Sequence, residues 1–399
     1  MTTQQSQLAF PFEPANPFEP AAEYAVLRED DPVARVLLPS GDRVWLVTRY
    51  EDNKRLLSDP RFSRAATTDP DAPRLQPIPP IPTALMVMDP PEHTRLRKFV
   101  SRTFTSRRVE LLRPKVQRHT DALLDRMAAA GPPADLITGL GRTLPMNVIC
   151  ELLGVPPRGQ ERFWAWADAV FSLTAFNPAQ MLAARDGLLT ELATLVEEKR
   201  AEPGEDLLSA LVQAHDDGDS LSADELVALA CTLLVAGFHT TSGQITLSVL
   251  CLLRHPRQLA LLRERPQLIV PAVEELLRYN ALTISGGLIR IATEDVELGG
   301  VTISKGDGVL PALSSANRDG AVFALPDEFD VTRGDNPQIA FGHGIHYCLG
   351  AHLARVELQV AIGSLLRRFP NLRLAVAQDE LEWNTGRIGR TLTGVPVAW

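Results

Sequence analysis

Ten residues near the C-terminus concentrate more chemistry than any other stretch of the chain: Phe341-Gly342-His343-Gly344-Ile345-His346-Tyr347-Cys348-Leu349-Gly350. Gly342 and Gly344 permit a tight loop. Cys348 stands just before a helix whose pattern starts near Leu349 and runs to about Arg368. A thiol there meets unpaired N–H groups and the positive end of the helix dipole, so a low pKa is expected. Cys348 is a candidate ligand for a soft or borderline metal centre, or a nucleophile. Other readings compete. Most free cysteines are buried and structural, which suits Cys150, Cys231 and Cys251 in their apolar helical contexts. His343, His346, Cys348 and His352 lie close enough to suggest zinc, but there is one cysteine and no CxxC pair. A cysteine protease needs a histidine base that nothing in the sequence places.

A second conspicuous feature is a long segment without charge. The segment 222–254 is long and apolar, with no Asp, Glu, Lys or Arg between Val227 and Leu253. At 1.5 Å per residue it spans roughly 50 Å, enough to cross a bilayer. Its centre, however, reads Gly237-Phe238-His239-Thr240-Thr241-Ser242-Gly243-Gln244, which is costly against lipid. A helix through the middle of a soluble protein is the expectation. Its two glycines predict close approach of something or a local distortion.

Together these residues resemble the cytochrome P-450 family. Phe341, Gly342, Gly344, His346, Cys348 and Gly350 match the haem-ligand loop FGxGxHxCxG. Six fixed residues recur by chance at roughly 10⁻⁸ per start position. Glu275 and Arg278 match the ExxR motif, and Arg318, in Ala-Asn-Arg-Asp, matches the arginine that completes its charged triad. Residues 89–97 resemble the helix whose His93 and Arg97 hold haem propionates, and Arg290 matches another propionate arginine. Residues 236–241 resemble the oxygen-binding groove. The resemblance implies a mainly α fold with small β-sheets, with the haem between a long central helix and the cysteine loop. It implies haem b with Cys348 as axial thiolate, and monooxygenation taking two electrons and two protons per O2. Where the family carries Asp or Glu before the groove threonine, this chain has His239, followed by Thr240. Histidine titrates near neutral pH, so His239 could relay protons, or it could be structural or touch substrate. The departure leaves room for a peroxygenase or an atypical rearrangement or desaturation. By position, Met86, Val87, Phe238, Leu282, Ile284, Leu392 and Thr393 line the substrate cavity, so a hydrophobic small molecule is expected. Length and N-terminus resemble actinobacterial members acting on polyketide, macrolide or terpenoid intermediates of antibiotic biosynthesis. A ferredoxin and its NAD(P)H-dependent reductase are the implied electron donors, with Arg102, Arg107, Arg108 and Arg355 contributing to the docking face.

The elements that must position these groups follow from pattern. Val33 to Thr48 alternates around Ser-Gly-Asp, which predicts a β-hairpin. Helical spacing covers 107–130, 159–176, 178–201 and 222–254, the last opened by a Ser222/Glu225 capping box. Short strands are expected over 286–312 and again after 371. Residues 1–20, with Pro-Phe-Glu-Pro twice, predict an extended arm on the surface. The proline-rich 66–83 segment reads as a long loop, which with helices around 163–200 would form a lid. No Gly/Ser linker or charge block divides the chain, so residues 1–399 are expected to make one domain and a monomer. Composition bounds the rest. Of 399 residues 45 % are hydrophobic, and 26 Gly with 31 Pro fall well short of a low-complexity chain. A net charge of −9 argues against nucleic-acid or anionic-membrane binding. Four cysteines make no disulfide framework, and the N-terminus lacks the basic and apolar regions of a signal peptide, so a cytoplasmic location is expected.

Overall fold

The computed structural model describes residues 8–157, 159–216, 221–284 and 286–399. Helices dominate, and the central helix, Ala223–Arg254, is the axis around which the rest is packed. Ser222 Oγ accepts from Glu225 N–H while the Glu225 carboxylate accepts from Ser222 N–H, so the expected capping box is present. Burial, not lipid, covers this helix: 72 % of its most apolar window lies inside the protein. Its glycines admit neighbours, with no break in the helix. A Cβ on Gly237 would stand 2.8 Å from Ile149, and one on Gly243 would stand 2.9 Å from Leu282.

Around the axis lie Arg113–Ala130, Thr143–Leu153, the paired helices Gln160–Val170 and Pro178–Ala201, Ile269–Tyr279, and the cysteine helix Ala351–Arg368. Gln160–Val170, here the cover helix, buries Phe163, Trp164 and Ala167. The helical pattern read over 159–176 stops at Val170, where the chain turns to meet the C-terminal loop. The segment read as one helix over 107–130 is interrupted: Ser106–Glu110 ends before Arg113–Ala130 begins.

The hairpin expected at 33–48 is Val33–Leu37 paired antiparallel with Arg43–Val47. It belongs to a six-stranded sheet with Leu8–Ala9 at one edge and Phe62–Ser63 at the other. At that second edge Phe62 pairs with Ala292 and Ser63 with Ile291. Continuing this antiparallel register sets Arg64 opposite Arg290. The N-terminal arm is more than a surface strap. Leu8–Ala9 adds a parallel strand to Val33–Leu37, and Phe10 is buried in the sheet's core. The first seven residues of the expected arm lie outside the described residues. The proline-rich loop packs on the cover helices. Gln76 donates to the carbonyls of Val170 (2.6 Å) and Ser172 (2.9 Å), and Arg185 donates to Pro79 O at 3.0 Å.

Candidate active site

The cysteine loop is wound by two left-handed glycines, Gly342 (φ 75°) and Gly344 (φ 72°). At Gly344 space is as restrictive as φ, because a Cβ would lie 2.5 Å from Leu57 O at the end of the helix Tyr50–Ser58. Cys348 N–H donates to Phe341 O at 2.9 Å, closing the loop. The cysteine helix begins at Ala351, so Cys348 precedes its first turn by more than the pattern suggested. The Cys348 side chain touches accessible space, yet protein crowds it on most sides. Burial pushes its thiol above the ordinary value, outweighing the Gly350 N–H and the charges of Arg97 and Arg355. This corrects the expected low pKa: in the protein alone, desolvation beats the backbone donors. The other three thiols are buried and pushed up to about 12, consistent with inert core cysteines. Among the described residues no three His, Cys, Asp or Glu side chains converge as a metal-binding group, so the zinc alternative finds no geometry.

Beside the loop stands a cluster of cationic and imidazole groups. The rings of His93 and His346 lie against each other at a tilt, with centroids 4.4 Å apart and planes at 51°. Arg97 donates to Tyr347 O. Arg290 is buried and donates to Phe62 O at 3.1 Å. Its neighbour across the sheet, Arg64, is also buried and donates to Met86 O (2.9 Å) and Ile289 O. Sequence reading missed Arg64; an isolated arginine carries no spacing signal, and only strand register brings it to Arg290. Burial lowers Arg64 to about 9 and Arg290 to about 10, with the charge of Arg290 adding to the effect on Arg64. Burial, then Arg290, His93 and the other arginines, lowers His346 to about 3. Burial and Arg97 lower His93. The nearest acid, Asp89, is engaged with Ser63 Oγ and the backbone of Arg64 and Ala65. Meanwhile His93 Nε2, His346 Nε2 and Arg290 Nε are buried without a protein partner. Buried donors are ordinarily satisfied and buried like charges ordinarily avoided. The cluster fits a dianionic group, such as a porphyrin's two carboxylates, beside the loop that carries Cys348.

Behind the loop is the ion-pair network. Glu275 and Arg278 are fully buried and bidentate at 2.7 and 2.8 Å. The second guanidinium on Glu275 is Arg333, at 3.0 Å. The expected third member, Arg318, instead pairs with Asp327 (3.0 Å) and lies over the Tyr279 ring at 3.8 Å. The network is thus Glu275–Arg278–Arg333, because the 330–336 turn folds back on Glu275 while Arg318 faces the helix end. Arg355 is bidentate with Glu274 at 2.6 and 2.9 Å and reaches Tyr347 Oη at 3.2 Å. It braces the loop and is no free surface cation, unlike the exposed Arg102, Arg107 and Arg108.

The central helix presents two different faces. Thr232, Ala236, Gly237 and Thr240 are partly exposed along an otherwise buried stretch, four-residue spacing marking one open stripe. Thr240 Oγ donates to Ala236 O at 2.8 Å. His239, Ser242, Gly243 and Thr246 face a different way, lining a cavity of about 310 Å³ shared with the turn before Thr143–Leu153, the cover helix and the C-terminal loop. His239 is buried. Its Nε2 lies 3.3 Å from Asp168 Oδ1, and its ring stacks on Phe171 at 4.6 Å and 14°. Burial pushes the Asp168 carboxyl up, but His239 and Arg387 together outweigh it and hold it below the usual range.

Of the residues expected at the substrate, Leu392 and Thr393 line this cavity. Met86 is exposed, and its carbonyl accepts from Arg64 Nε. Val87 is buried, and Leu282 and Ile284 are partly buried against core clusters. Phe238 is corrected outright. It is fully buried, its ring 4.4 Å from that of Trp164, because a helix buried on nearly all sides points this position into the core.

Comparison with known proteins agrees with this site. A family described as Cytochrome P450 matches residues 162–380. The chain is 50 % identical to the nocardicin C N-oxygenase of Nocardia uniformis subsp. tsuyamanensis, covering 94 % of each chain. It is 45 % identical to the mycinamicin IV hydroxylase/epoxidase of Micromonospora griseorubida over the whole of both. Among solved structures it is similar to HinD with NMFT and NO, at a TM-score of 0.95 and 47 % identity, covering 99 % of this chain and all of the other.

Proposed function

The chain belongs to the cytochrome P450 family and is a monooxygenase of that family, and we propose that it inserts oxygen into a precursor of an antibiotic-type secondary metabolite. The reaction balances as substrate C–H or heteroatom plus O2, two electrons and two protons, giving the oxygenated product and water. A haem bound here supplies the redox-active iron, and its thiolate ligand supplies the electron density this family uses to cleave O–O.

The protein's own tasks follow from its residues. Cys348 would hold the iron, with Gly350 N–H and the Arg97 charge favouring its thiolate. His93, His346, Arg290, Arg64 and Arg97 would hold the two carboxylates of the macrocycle. That buried cationic cluster, short of acids and with three unpartnered nitrogens, is the observation that carries the reading. The Glu275 network and the Glu274–Arg355 bridge hold the loop from behind. Thr240 on the open stripe is the hydroxyl placed to hold and pass a proton.

The relatives' names describe a hydroxylase/epoxidase and an N-oxygenase, which support oxygen insertion over a rearrangement or desaturation. The cavity is lined by both apolar and polar side chains, so we infer a hydrophobic substrate that also carries hydrogen-bonding groups. We infer electron delivery by a ferredoxin on the face carrying Arg102, Arg107 and Arg108. The free thiols support a cytoplasmic setting.

The test is direct. Purified protein is titrated with macrolide, β-lactam and peptide intermediates while the ferric spin-state spectrum is followed. Binders are then turned over with ferredoxin, reductase and NAD(P)H. Absence of a Soret band, or an unchanged reduced carbonyl spectrum after Cys348→Ser, would refute the reading.

A further inference from the structure

His239 occupies the position where the resemblance leads one to expect an acid, and the structure shows where a carboxylate has gone. Asp168, near the end of the cover helix, places Oδ1 3.3 Å from His239 Nε2 and 2.8 Å from Arg387 Nη1. Three elements far apart in sequence therefore meet on one oxygen: cover helix, central helix and C-terminal loop. The arrangement is stiffened on both sides. Phe171 stacks on the His239 ring, and Phe171 O accepts from Ile388 N–H at 3.0 Å. Gly386 O accepts from the N–H groups of Leu173, Thr174 and Ala175 at 2.8 to 3.1 Å, and Ser172 bridges to Arg387.

We propose that Asp168 is a positioning residue for His239: it holds the Nε2 proton, leaving Nδ1 to take up and release protons that turnover consumes. The inference rests on the monooxygenase reading, which needs two protons per turnover. A carboxylate can only accept, so the neutral ring it faces must present N–H at Nε2. The other nitrogen then takes the proton, the Asp168 charge holds the cation so formed, and release of that proton restores the neutral ring. The delivered proton ends in product water. The cavity reaches solvent where the exposed Thr138 and Thr393 form part of its wall.

The charged groups facing His239 are few. Asp168 comes from the cover helix, and Arg387 and Arg390 from the C-terminal loop. Arg142 comes from the turn before Thr143–Leu153, itself paired with Glu161 at 2.8 Å. Arg387 keeps Asp168 ionised and aimed. Because Asp168 rides on the cover helix, proton entry depends on that helix being seated. The arrangement has the acid and the base exchanged between two helices, so a search for an acid on the central helix finds none.

The test uses histidine-labelled holoenzyme as its reduced carbonyl form, at alkaline pH. The ¹⁵N signals of His239 are assigned with His239→Gln. In the parent and in Asp168→Glu the proton is expected on Nε2. In Asp168→Asn it redistributes toward Nδ1, and product formed per NAD(P)H falls about tenfold, as loss of a histidine's outer partner commonly does. The carbonyl band should stay at its parental position. Adding Asp168→Asn to His239→Gln should cost nothing further. A parental ring with its proton on Nδ1 overturns the proposal even if the variants fail to fold. So does an unchanged product ratio in Asp168→Asn, or a further tenfold loss in the double variant. If the parent makes no product, the monooxygenase reading fails, while the ¹⁵N result still judges the placement of the proton.

Discussion

Replacing Glu275 by Gln keeps the shape of the side chain and removes its charge. Glu275 accepts five hydrogen bonds: from Arg278 Nε and Nη2, Asp330 N–H, Arg333 Nε and Asn336 Nδ2, at 2.7 to 3.2 Å. Glu275 and Arg278 have no exposed side-chain surface, and Arg333 has 11 %. Glutamine would leave two guanidiniums in protein without their counter-charge. Breaking a buried pair from one side costs about 3–5 kcal/mol. Unfolding entropy scales with length, at about 2.1 cal/mol/K per residue, so 399 residues give about 0.8 kcal/mol/K. The expected fall in the thermal midpoint is therefore about 4–6 °C. The assay is thermal unfolding of the holoprotein followed by far-ultraviolet circular dichroism and the Soret band together. Because Asp330, Arg333 and Asn336 lead into the cysteine loop, the Soret transition should move at least as far as the helical one. Arg333→Leu should behave like Glu275→Gln. A midpoint within about 1 °C of the parent in both variants would refute the claim that this network holds the loop.

Gly344→Ala must strain φ and drive a Cβ against Leu57 O, whereas Gly342→Ala meets open space. The first should cost at least about 2 kcal/mol more than the second in equilibrium unfolding, and disturb the carbonyl band where the second does not. Ser222→Ala removes half of a capping box and should cost about 1 kcal/mol by denaturant titration, with turnover unchanged. Glu357 is buried, with Oε2 unpartnered, and burial raises its pKa well above the ordinary 4.5. The folded state thus binds a proton the unfolded chain has already lost, so stability falls as pH rises above 4.5. Glu357→Gln should remove that slope, raising the melting midpoint at neutral and alkaline pH relative to the parent; equal midpoints across the range would contradict it. Arg290→Leu should speed haem transfer to apomyoglobin while leaving the position of the carbonyl band in place, and an unchanged transfer rate would remove Arg290 from the cradle.

Local rules made the central helix legible: Ser222 and Glu225 cap it, Pro256 follows it, and no charge interrupts Val227 to Leu253. The hairpin and the cysteine helix were legible for the same reason, since their signals lie within a few neighbouring residues. The cysteine loop was readable because its candidate ligand and turn glycines sit within ten residues. What failed depended on register and direction. Arg64 reaches Arg290 only through strand pairing, and Arg333 displaces Arg318 from Glu275 only through the fold of a turn. Phe238 lost its place at the substrate because the face it shows is set by what packs around the helix. The pKa of Cys348 likewise turned on burial, which no local pattern measures.

The amino-acid sequence by itself pointed to the family, the candidate ligand cysteine, the axial helix and most of the groups that would hold the cofactor. These reside in short, chemically constrained runs whose spacing is itself the requirement. Tertiary structure decided which arginine completes the ion pair, which way the thiol's affinity for its proton moves, and that a carboxylate reaches His239 from another helix. Those outcomes depend on distances between residues as many as 71 positions apart for Asp168 and His239. Such distances are set by packing, which sums many contacts that no single stretch of chain contains.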